Sequence, residues 1–290
     1  AASDANLASG NCSSCALDGS SMSAPTAVGL AALVREYYTA GYLAAGTRDA
    51  ARGFAPSAAL LKATLIDAAA SLGANAPGPD FDSGFGRIQL DRTLAFPGGG
   101  FQLRVDDHRE GLTTGSVVEH AYDVAAGTPL RATLVFTDYP AAVNAAIARV
   151  NELQLEVVDP SGAVWFQTLH PATGLPVATS NPADSHDQRN VEERLVFEAP
   201  AAGRYIVRVR GIDVPFGPQP FALVVRGALS DCPAPLAPAQ PSLTTPATHQ
   251  VFVSWPPAAG AVGYNVYRSF GACPGSSWIR VGTTSTTSLL

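Results

Sequence analysis

Ser21 is the residue of this sequence that is best placed to act as a nucleophile. It lies in the segment Gly19-Ser20-Ser21-Met22-Ser23-Ala24-Pro25, and an Ala- and Leu-rich stretch follows. Small residues allow a strand to turn sharply into a helix, whose first turn carries free backbone amides and the positive end of the helix dipole. We expect a helix that begins at Ser21 and has Pro25 in its first turn, where proline costs no hydrogen bond. A serine there can attack a carbonyl carbon while its own amide stabilises the oxyanion.

A nucleophilic serine needs a general base and a carboxylate that orients the base. No histidine precedes Ser21, and the order serine, aspartate, histidine is that of the α/β-hydrolases. That fold requires Gly-x-Ser-x-Gly, whereas Met22 and Ser23 follow the serine here. The alternative interpretation is that Ser21 is an ordinary cap in a Ser-rich stretch. The histidines of the chain are His108, His120, His170, His186 and His249.

Two helices joined by turns are predicted in the residues before Pro97. The first has apolar residues near helical spacing between positions 28 and 34 and ends at Gly41. The second is capped by Ser57 and runs towards Gly73. Both are rich in Ala and Leu, so each is expected to be buried on one face.

The residues after Pro97-Gly98-Gly99-Gly100 alternate between short β-prone runs and turn signals. This pattern is typical of an antiparallel sandwich, and we expect about eight strands in one domain that ends near Leu229. The predicted strands are Phe101 to Val105, Val117 to Val124, Leu130 to Phe136, Leu153 to Val158, Ala163 to Gln167, Val191 to Phe197, Tyr205 to Val209 and Phe221 to Val225.

A proline-rich linker is predicted at residues 230–241, followed by alternating strands. The segments Gln250 to Trp255 and Gly263 to Arg268 resemble the first strands of a fibronectin type III module, with Trp255 as the core tryptophan. The later strands of such a module are missing, so residues 242–290 are expected to form a partial one.

Composition and charge argue against several other classes of function. The net charge of -6 and the pI of about 5.3 disfavour a nucleic-acid or acidic-membrane surface. No apolar run approaches the roughly 20 residues of a membrane span. Cys12 and Cys15 form a C-x-x-C without the partners of a zinc site, and Leu17-Asp18-Gly19 separates them from the helix that a redox motif needs. Disulfides outside the cytoplasm are the favoured interpretation.

The serine segment resembles the nucleophile motif of the subtilisin family, Gly-Thr-Ser-Met-Ala-x-Pro, with Ser20 for threonine and Ser23 for alanine. The segment Gly84-Phe85-Gly86-Arg87-Ile88 is similar to the Gly-x-Gly-x-Val element that closes the catalytic domain of that family. The resemblance covers about residues 9 to 229. Four later segments look like the β-sandwich of the KP-43-like branch of subtilisins: Phe136 to Pro140, Asn151 to Val157, Arg189 to Glu192 and Val214 to Phe221.

The resemblance implies the C-terminal part of a secreted, extracellular serine endopeptidase of peptidase family S8, with Ser21 as nucleophile and protein or peptide as substrate. Residues 1–98 would be the C-terminal part of an α/β catalytic domain, and residues 99–229 a jelly-roll-like antiparallel sandwich. In this family the catalytic aspartate and histidine and the oxyanion asparagine lie far upstream. The early candidates do not match those positions: Asp4, Asn6, Asn11 and Asp18.

Three further expectations follow from the resemblance. The chain alone is predicted to be inactive, because it lacks the base and the orienting carboxylate. The two helices are expected to lack the parallel sheet that they should cover, so that only residues 101–229 would fold alone. An oxidising setting predicts a disulfide between Cys232 and Cys273.

A calcium site is predicted in the oxygen-rich loop that contains Asp184, Asp187, Asn190 and Glu192. Calcium often stabilises secreted subtilisins, which adds support. The neutral Gln154 stands in a position where related sandwiches have a paired-aspartate pattern, which argues against a site there. The alternative is a solvated polar loop.

Two other functions compete with peptide hydrolysis. One is a secreted adhesion or carbohydrate- or protein-binding protein, in which the serine segment is a remnant. The joint presence of Ser21, Met22 and Pro25 argues against a remnant. The other is a structural role in assembly, which requires an exposed apolar face on the sandwich.

Overall fold

The structure, a computed structural model, describes residues 2–3, 15–16, 19–43, 46–72, 78–231, 238, 241–245, 250–258, 263–269 and 278–289. The chain divides into two compact units, Ala1–Asp231 and Cys232–Leu290, each of which is described by itself. The predicted Cys232–Cys273 disulfide lies outside the described residues and stays a prediction. The same holds for Asp4, Asn6, Asn11, Cys12, Asp18 and His249.

The described part of the first unit contains two α-helices, α1 (Ser20–Thr39) and α2 (Ala58–Asp67). The predicted cap of α2 is confirmed, because the Leu60 amide donates to the Ser57 hydroxyl at 3.0 Å. This helix ends at Asp67 and not near Gly73, since the chain next enters a short strand. Two three-residue 3-10 helices lie at Ala50–Arg52 and Leu90–Arg92.

Short strands pair around the helices in three antiparallel ribbons, β1 with β2, β3 with β4 and β5 with β6. Their bounds are β1 (Ala2–Ser3), β2 (Cys15–Ala16), β3 (Tyr42–Leu43), β4 (Thr47–Arg48), β5 (Ala69–Ala70) and β6 (Arg87–Ile88).

The predicted antiparallel sandwich is confirmed, with ten strands between residues 102 and 231. All eight predicted runs are strands, although several extend further than predicted, and two short strands, β12 and β16, were missed. The bounds are β7 (Gln102–Leu112), β8 (Val117–Val124), β9 (Leu130–Phe136), β10 (Glu152–Val158), β11 (Val164–Leu169), β12 (Pro176–Thr179), β13 (Glu192–Phe197), β14 (Gly203–Asp213), β15 (Gln219–Gly227) and β16 (Leu229–Asp231).

The ten strands form two antiparallel sheets that enclose the main core. One sheet has six strands in the order β12-β11-β10-β14-β8-β16, and the other has four in the order β13-β9-β15-β7. Alternate residues of a strand face opposite sides of a sheet, and one side of each sheet supplies the core. Leu134 and Leu223 come from the four-stranded sheet, and Leu155 and Val207 from the six-stranded sheet.

The two helices pack on the outer side of the four-stranded sheet. Tyr38 of α1 and Leu60 of α2 share a second core with Val135, Ala222 and Val224, which lie on the face of β9 and β15 that points away from the main core. The expectation that the helices lack a sheet to cover is therefore wrong for α2 and for the C-terminal half of α1. The sheet that they cover is antiparallel, and every residue of β9 is buried as a result.

Buried charge fixes the C-terminal end of α2 on this sheet. The Asp67 carboxylate accepts hydrogen bonds from the Thr93 and Thr133 hydroxyls and is fully buried. Arg131 donates to the Asp67 carbonyl at 3.1 Å and Arg194 to the Ile66 carbonyl at 3.0 Å. A third guanidinium, that of Arg226, lies 3.9 Å from the carboxylate.

The described residues of the second unit include five short strands, which form a three-stranded sheet, β17-β18-β21, and a two-stranded one, β19-β20. Trp255 is buried, as predicted, and its ring meets Tyr264 edge to face at 5.2 Å. The bounds are β17 (Ser242–Thr244), β18 (Phe252–Ser254), β19 (Tyr264–Ser269), β20 (Trp278–Thr284) and β21 (Ser288–Leu289).

The shared core predicts that the helices and the sandwich unfold together. In a background with Trp165 as the only tryptophan, Leu60→Ala should lower the free energy of unfolding reported by Trp165 by about 2–5 kcal/mol, because it opens a cavity under α2. Urea titration followed by fluorescence measures this. The control Val28→Ala, on the exposed part of α1, should change it by less than about 0.5 kcal/mol. A Trp165 transition unaffected by Leu60→Ala would show that the sandwich folds independently.

Candidate active site

Ser21 is the second residue of α1 and is exposed. Gly19 precedes the helix with φ 148°, a conformation that side chains rarely adopt, so glycine suits the sharp entry. The Gly19 carbonyl accepts the amides of Met22 at 3.1 Å and Ser23 at 3.2 Å. The amides of Ser20 and Ser21 lie ahead of the first intrahelical carbonyl, so the helix itself offers them no acceptor. This is the predicted arrangement of a serine beside free amides.

Pro25 lies one residue deeper in α1 than expected, because the helix begins at Ser20 and not at Ser21. A residue with an amide at position 25 would donate to the Ser21 carbonyl, and proline cannot. Two neighbouring hydroxyls are used within the helix: Ser23 donates to the Gly19 carbonyl at 3.3 Å and Thr26 to the Met22 carbonyl at 2.9 Å. The Ser21 hydroxyl has no hydrogen bond to a described residue. The Ser21 carbonyl also lacks its helical donor, because Pro25 has no amide hydrogen.

The four described histidines have partners within the sandwich, and none is hydrogen-bonded or ion-paired with Ser21. His120 lies 3.0 Å and His108 3.7 Å from the Asp106 carboxylate. His186 contacts Gln154, and the His170 ring accepts the Ala172 amide. The location of a general base for Ser21 stays a prediction.

The glycine motif after α2 is required by a close approach of two backbone segments. Gly86 has φ 104°, and a Cβ atom there would lie 2.0 Å from the Ala70 carbonyl oxygen. The contact arises because β6 pairs with β5 directly after α2. Any larger residue at position 86 would push the two strands apart.

The four predicted calcium ligands are in three different places. Asp187 and Asn190 are together, since the Asn190 amide donates to Asp187 Oδ2 at 2.6 Å. Asp184 accepts hydrogen bonds from Thr179 and Asn181, and Glu192 pairs with Lys62 of α2. Among the described residues, no three His, Cys, Asp or Glu side chains are arranged to hold a metal ion. The geometry does not fit a single ion on all four residues, and calcium binding stays a prediction.

In one region the two sheets are joined by the buried polar side chains of Gln167 and Glu193, neither of which was singled out in the sequence. We call this region the seam. Gln167 of β11 donates to the Glu192 carbonyl at 3.1 Å and accepts the Arg194 amide at 3.0 Å. Glu193 of β13 accepts the Leu155 amide at 2.7 Å. Each side chain bonds backbone groups that a neighbouring strand would otherwise bond. The sequence signal that could have indicated Gln167 and Glu193 is a polar residue within an otherwise apolar strand.

Two buried carboxylates, those of Glu193 and Glu152, lie near the seam. Burial raises the pKa of Glu193 well above its ordinary value, despite the hydrogen bond from the Leu155 amide. Burial also raises the pKa of Glu152 to about 7; the Arg149 guanidinium, 2.6 Å away, lowers it, and nearby aspartates such as Asp187 raise it.

Comparison with known proteins connects the chain with serine proteases. The chain is 28% identical over 223 residues to the serine protease/ABC transporter B family protein tagA of Dictyostelium discoideum, which covers 73% of the chain and 12% of that protein. It is 23% identical over 256 residues to tagD of the same organism and family, covering 72% of the chain and 14% of that protein. The chain thus spans a small part of the length of these relatives. No family model matches it.

The similarity supports a protease-related function. Neither helix in the described part of the chain has the length and apolar character of a membrane span.

Glu152→Gln should make the stability of the chain less dependent on pH. An acid whose pKa rises from 4.5 to about 7 on folding contributes stability that is complete below pH 4.5 and is lost as pH rises through 7. The loss is on the order of 3 kcal/mol at pH 8. Urea unfolding between pH 5 and 8 should show a flatter profile for Glu152→Gln, whereas the exposed control Glu119→Gln should keep the wild-type profile. Equal profiles for Glu152→Gln and wild type would contradict the assigned pKa.

Proposed function

We propose that this chain is part of a subtilisin-type serine endopeptidase in which Ser21 is the nucleophile. The observation that carries the proposal is the position of Ser21: exposed, second in a 20-residue helix, and entered through Gly19 at positive φ. The relatives named as serine proteases support it. The subtilisin type rests on the serine motif itself.

The proposed chemistry is acyl transfer. The Ser21 hydroxyl oxygen attacks the carbonyl carbon of a peptide bond, and its proton passes to a general base. The developing oxyanion accepts a hydrogen bond from the Ser21 amide, at the positive end of the α1 dipole. The base then protonates the leaving amine, and water hydrolyses the acyl-enzyme and restores the serine.

The general base and its orienting carboxylate are proposed to come from polypeptide outside residues 19–231. The described histidines are engaged in the sandwich, far along the chain from Ser21. The helix layer also exposes large apolar side chains at Val28, Leu33, Leu72 and Phe81. Exposed apolar surface of this kind favours a further layer of protein over it. Secretion and a fibronectin type III-like second unit belong to the same proposal.

The purified 290-residue chain is expected to react with a fluorophosphonate probe only at the background rate of an unactivated serine, because none of the described residues is hydrogen-bonded to Ser21 as a general base. Labelling followed by gel fluorescence measures this. Labelling of Ser21 at the rate of an active serine protease would show that the chain supplies its own base.

In a longer polypeptide that carries this sequence and cleaves peptides, Ser21→Ala should lower kcat by about 10⁶-fold, the order of loss known for removal of the subtilisin nucleophile. Cleavage of a fluorogenic peptide measures kcat. The control Ser20→Ala removes the adjacent hydroxyl and should keep most of the activity. Similar losses in the two variants would contradict the assignment of Ser21.

A further inference from the structure

Two aromatic rings stack on each other in solvent at one end of the sandwich. The ring centroids of Tyr139 and Phe216 lie 4.8 Å apart with 15° between the ring planes. The two residues are 55% and 54% exposed. Tyr139 lies in the loop between β9 and β10, and Phe216 in the loop between β14 and β15. The loop between β9 and β10 also presents Val143, which is 93% exposed. We call Tyr139, Phe216 and residues 140–148 the aromatic platform.

The loop that carries Tyr139 is closed at its base by one carboxylate. Asp138 accepts the amide of Tyr139 at 2.7 Å and, from the far end of the loop, those of Val150 at 2.5 Å and Asn151 at 2.9 Å. The two ends of the loop are thereby held together, as in the compact loops that often carry function.

Two buried amide side chains fasten this loop to the one that carries Phe216. Asn151, which is fully buried, donates to the Phe216 carbonyl at 2.6 Å and accepts the Phe216 amide at 3.1 Å. It also donates to the side-chain oxygen of Gln219, whose own amide donates to the Thr137 carbonyl. These hydrogen bonds fix the backbone on both sides of the ring pair. The platform is therefore preorganised, which lowers the entropy cost of binding.

The chemistry of the platform selects an uncharged partner. Residues 139–148 read Tyr-Pro-Ala-Ala-Val-Asn-Ala-Ala-Ile-Ala and contain no charge. The flanking charges are engaged, Asp138 by the three amides and Arg149 by the Gln188 carbonyl and Glu152. Asp213, the last residue of β14 before the loop that carries Phe216, is exposed, and its negative charge disfavours an acidic partner.

We propose that the aromatic platform binds an uncharged, apolar segment of a polypeptide substrate. A glycan is disfavoured because the polar side chains beneath the rings have their hydrogen bonds within the protein. An acidic membrane is disfavoured because no free basic residue lies on the platform. The inference rests on the proposed function only in calling the bound polypeptide a substrate.

Fluorescence anisotropy tests the proposal with the 290-residue chain and two short fluorescein-labelled peptides, an uncharged one rich in Leu and Phe and an acidic one in which Glu replaces the apolar residues. The uncharged peptide should bind, and Tyr139→Ser or Phe216→Ser should raise its Kd at least about 10-fold, as expected for loss of an aromatic anchor. The acidic peptide should bind to the wild-type chain no more tightly than it binds to the Phe216→Ser variant.

Matched variants show whether the binding is specific to the platform. Phe81→Ser removes another exposed ring, 79% exposed, from the segment between β5 and β6 and should leave the Kd unchanged. Ser21→Ala should also leave it unchanged, so that a failure of the catalytic assignment would not affect this assay. All variants should keep the wild-type urea midpoint.

Three results would overturn the proposal. The first is no anisotropy change with the uncharged peptide up to about 1 mM, a level that corresponds to negligible affinity. The second is equal weakening by Phe81→Ser. The third is a dimer of the chain, or binding to phosphatidylcholine vesicles, that Phe216→Ser abolishes while peptide binding is absent.

Discussion

The buried carboxylate of Asp67, at the end of α2, holds the helix layer and the sandwich in their relative positions. A carboxylate in a protein interior is unfavourable unless charges and hydrogen bonds surround it. Here two threonine hydroxyls and three guanidiniums do so, and burial lowers the pKa of Arg194 to about 10. Arg131 and Arg194 also bind the last helix carbonyls, where the dipole of α2 is negative. Apolar contacts alone would hold α2 on the sheet, but these groups fix its orientation.

The position of Ser21 follows from this anchor. The C-terminal half of α1 packs on α2 and on the sheet, where Tyr38 donates or accepts a 2.8 Å hydrogen bond with Thr64 and Tyr37 donates to the Ala95 carbonyl. The N-terminal half extends beyond the core and carries Ser21. The sandwich thus acts as a rigid base for the helix whose first turn holds the serine.

Much of this fold could be predicted from local sequence patterns, because alternation, turn residues and the Ser57 cap act over short distances. The docking of the helices was not predicted, although Leu130 to Phe136 gave a signal: a nearly continuous apolar run indicates a strand buried on both faces. The pairing of Glu192, one of the four predicted calcium ligands, with Lys62 was not predicted for a related reason. Glu192 and Glu193 are neighbours in one strand, so their side chains point to opposite faces, one to Lys62 and the other to the seam. The seam itself depends on contacts between residues far apart in sequence, such as Gln167 and Arg194.

Mapping a covalent label would decide whether the serine at the start of α1 is a protease nucleophile. A longer polypeptide that contains this sequence and cleaves peptides would be treated with a fluorophosphonate, digested, and analysed by tandem mass spectrometry. We expect one modified serine, Ser21, in stoichiometric yield with loss of activity. Loss of activity with the label on another serine, while Ser21 stays unmodified, would contradict the assignment.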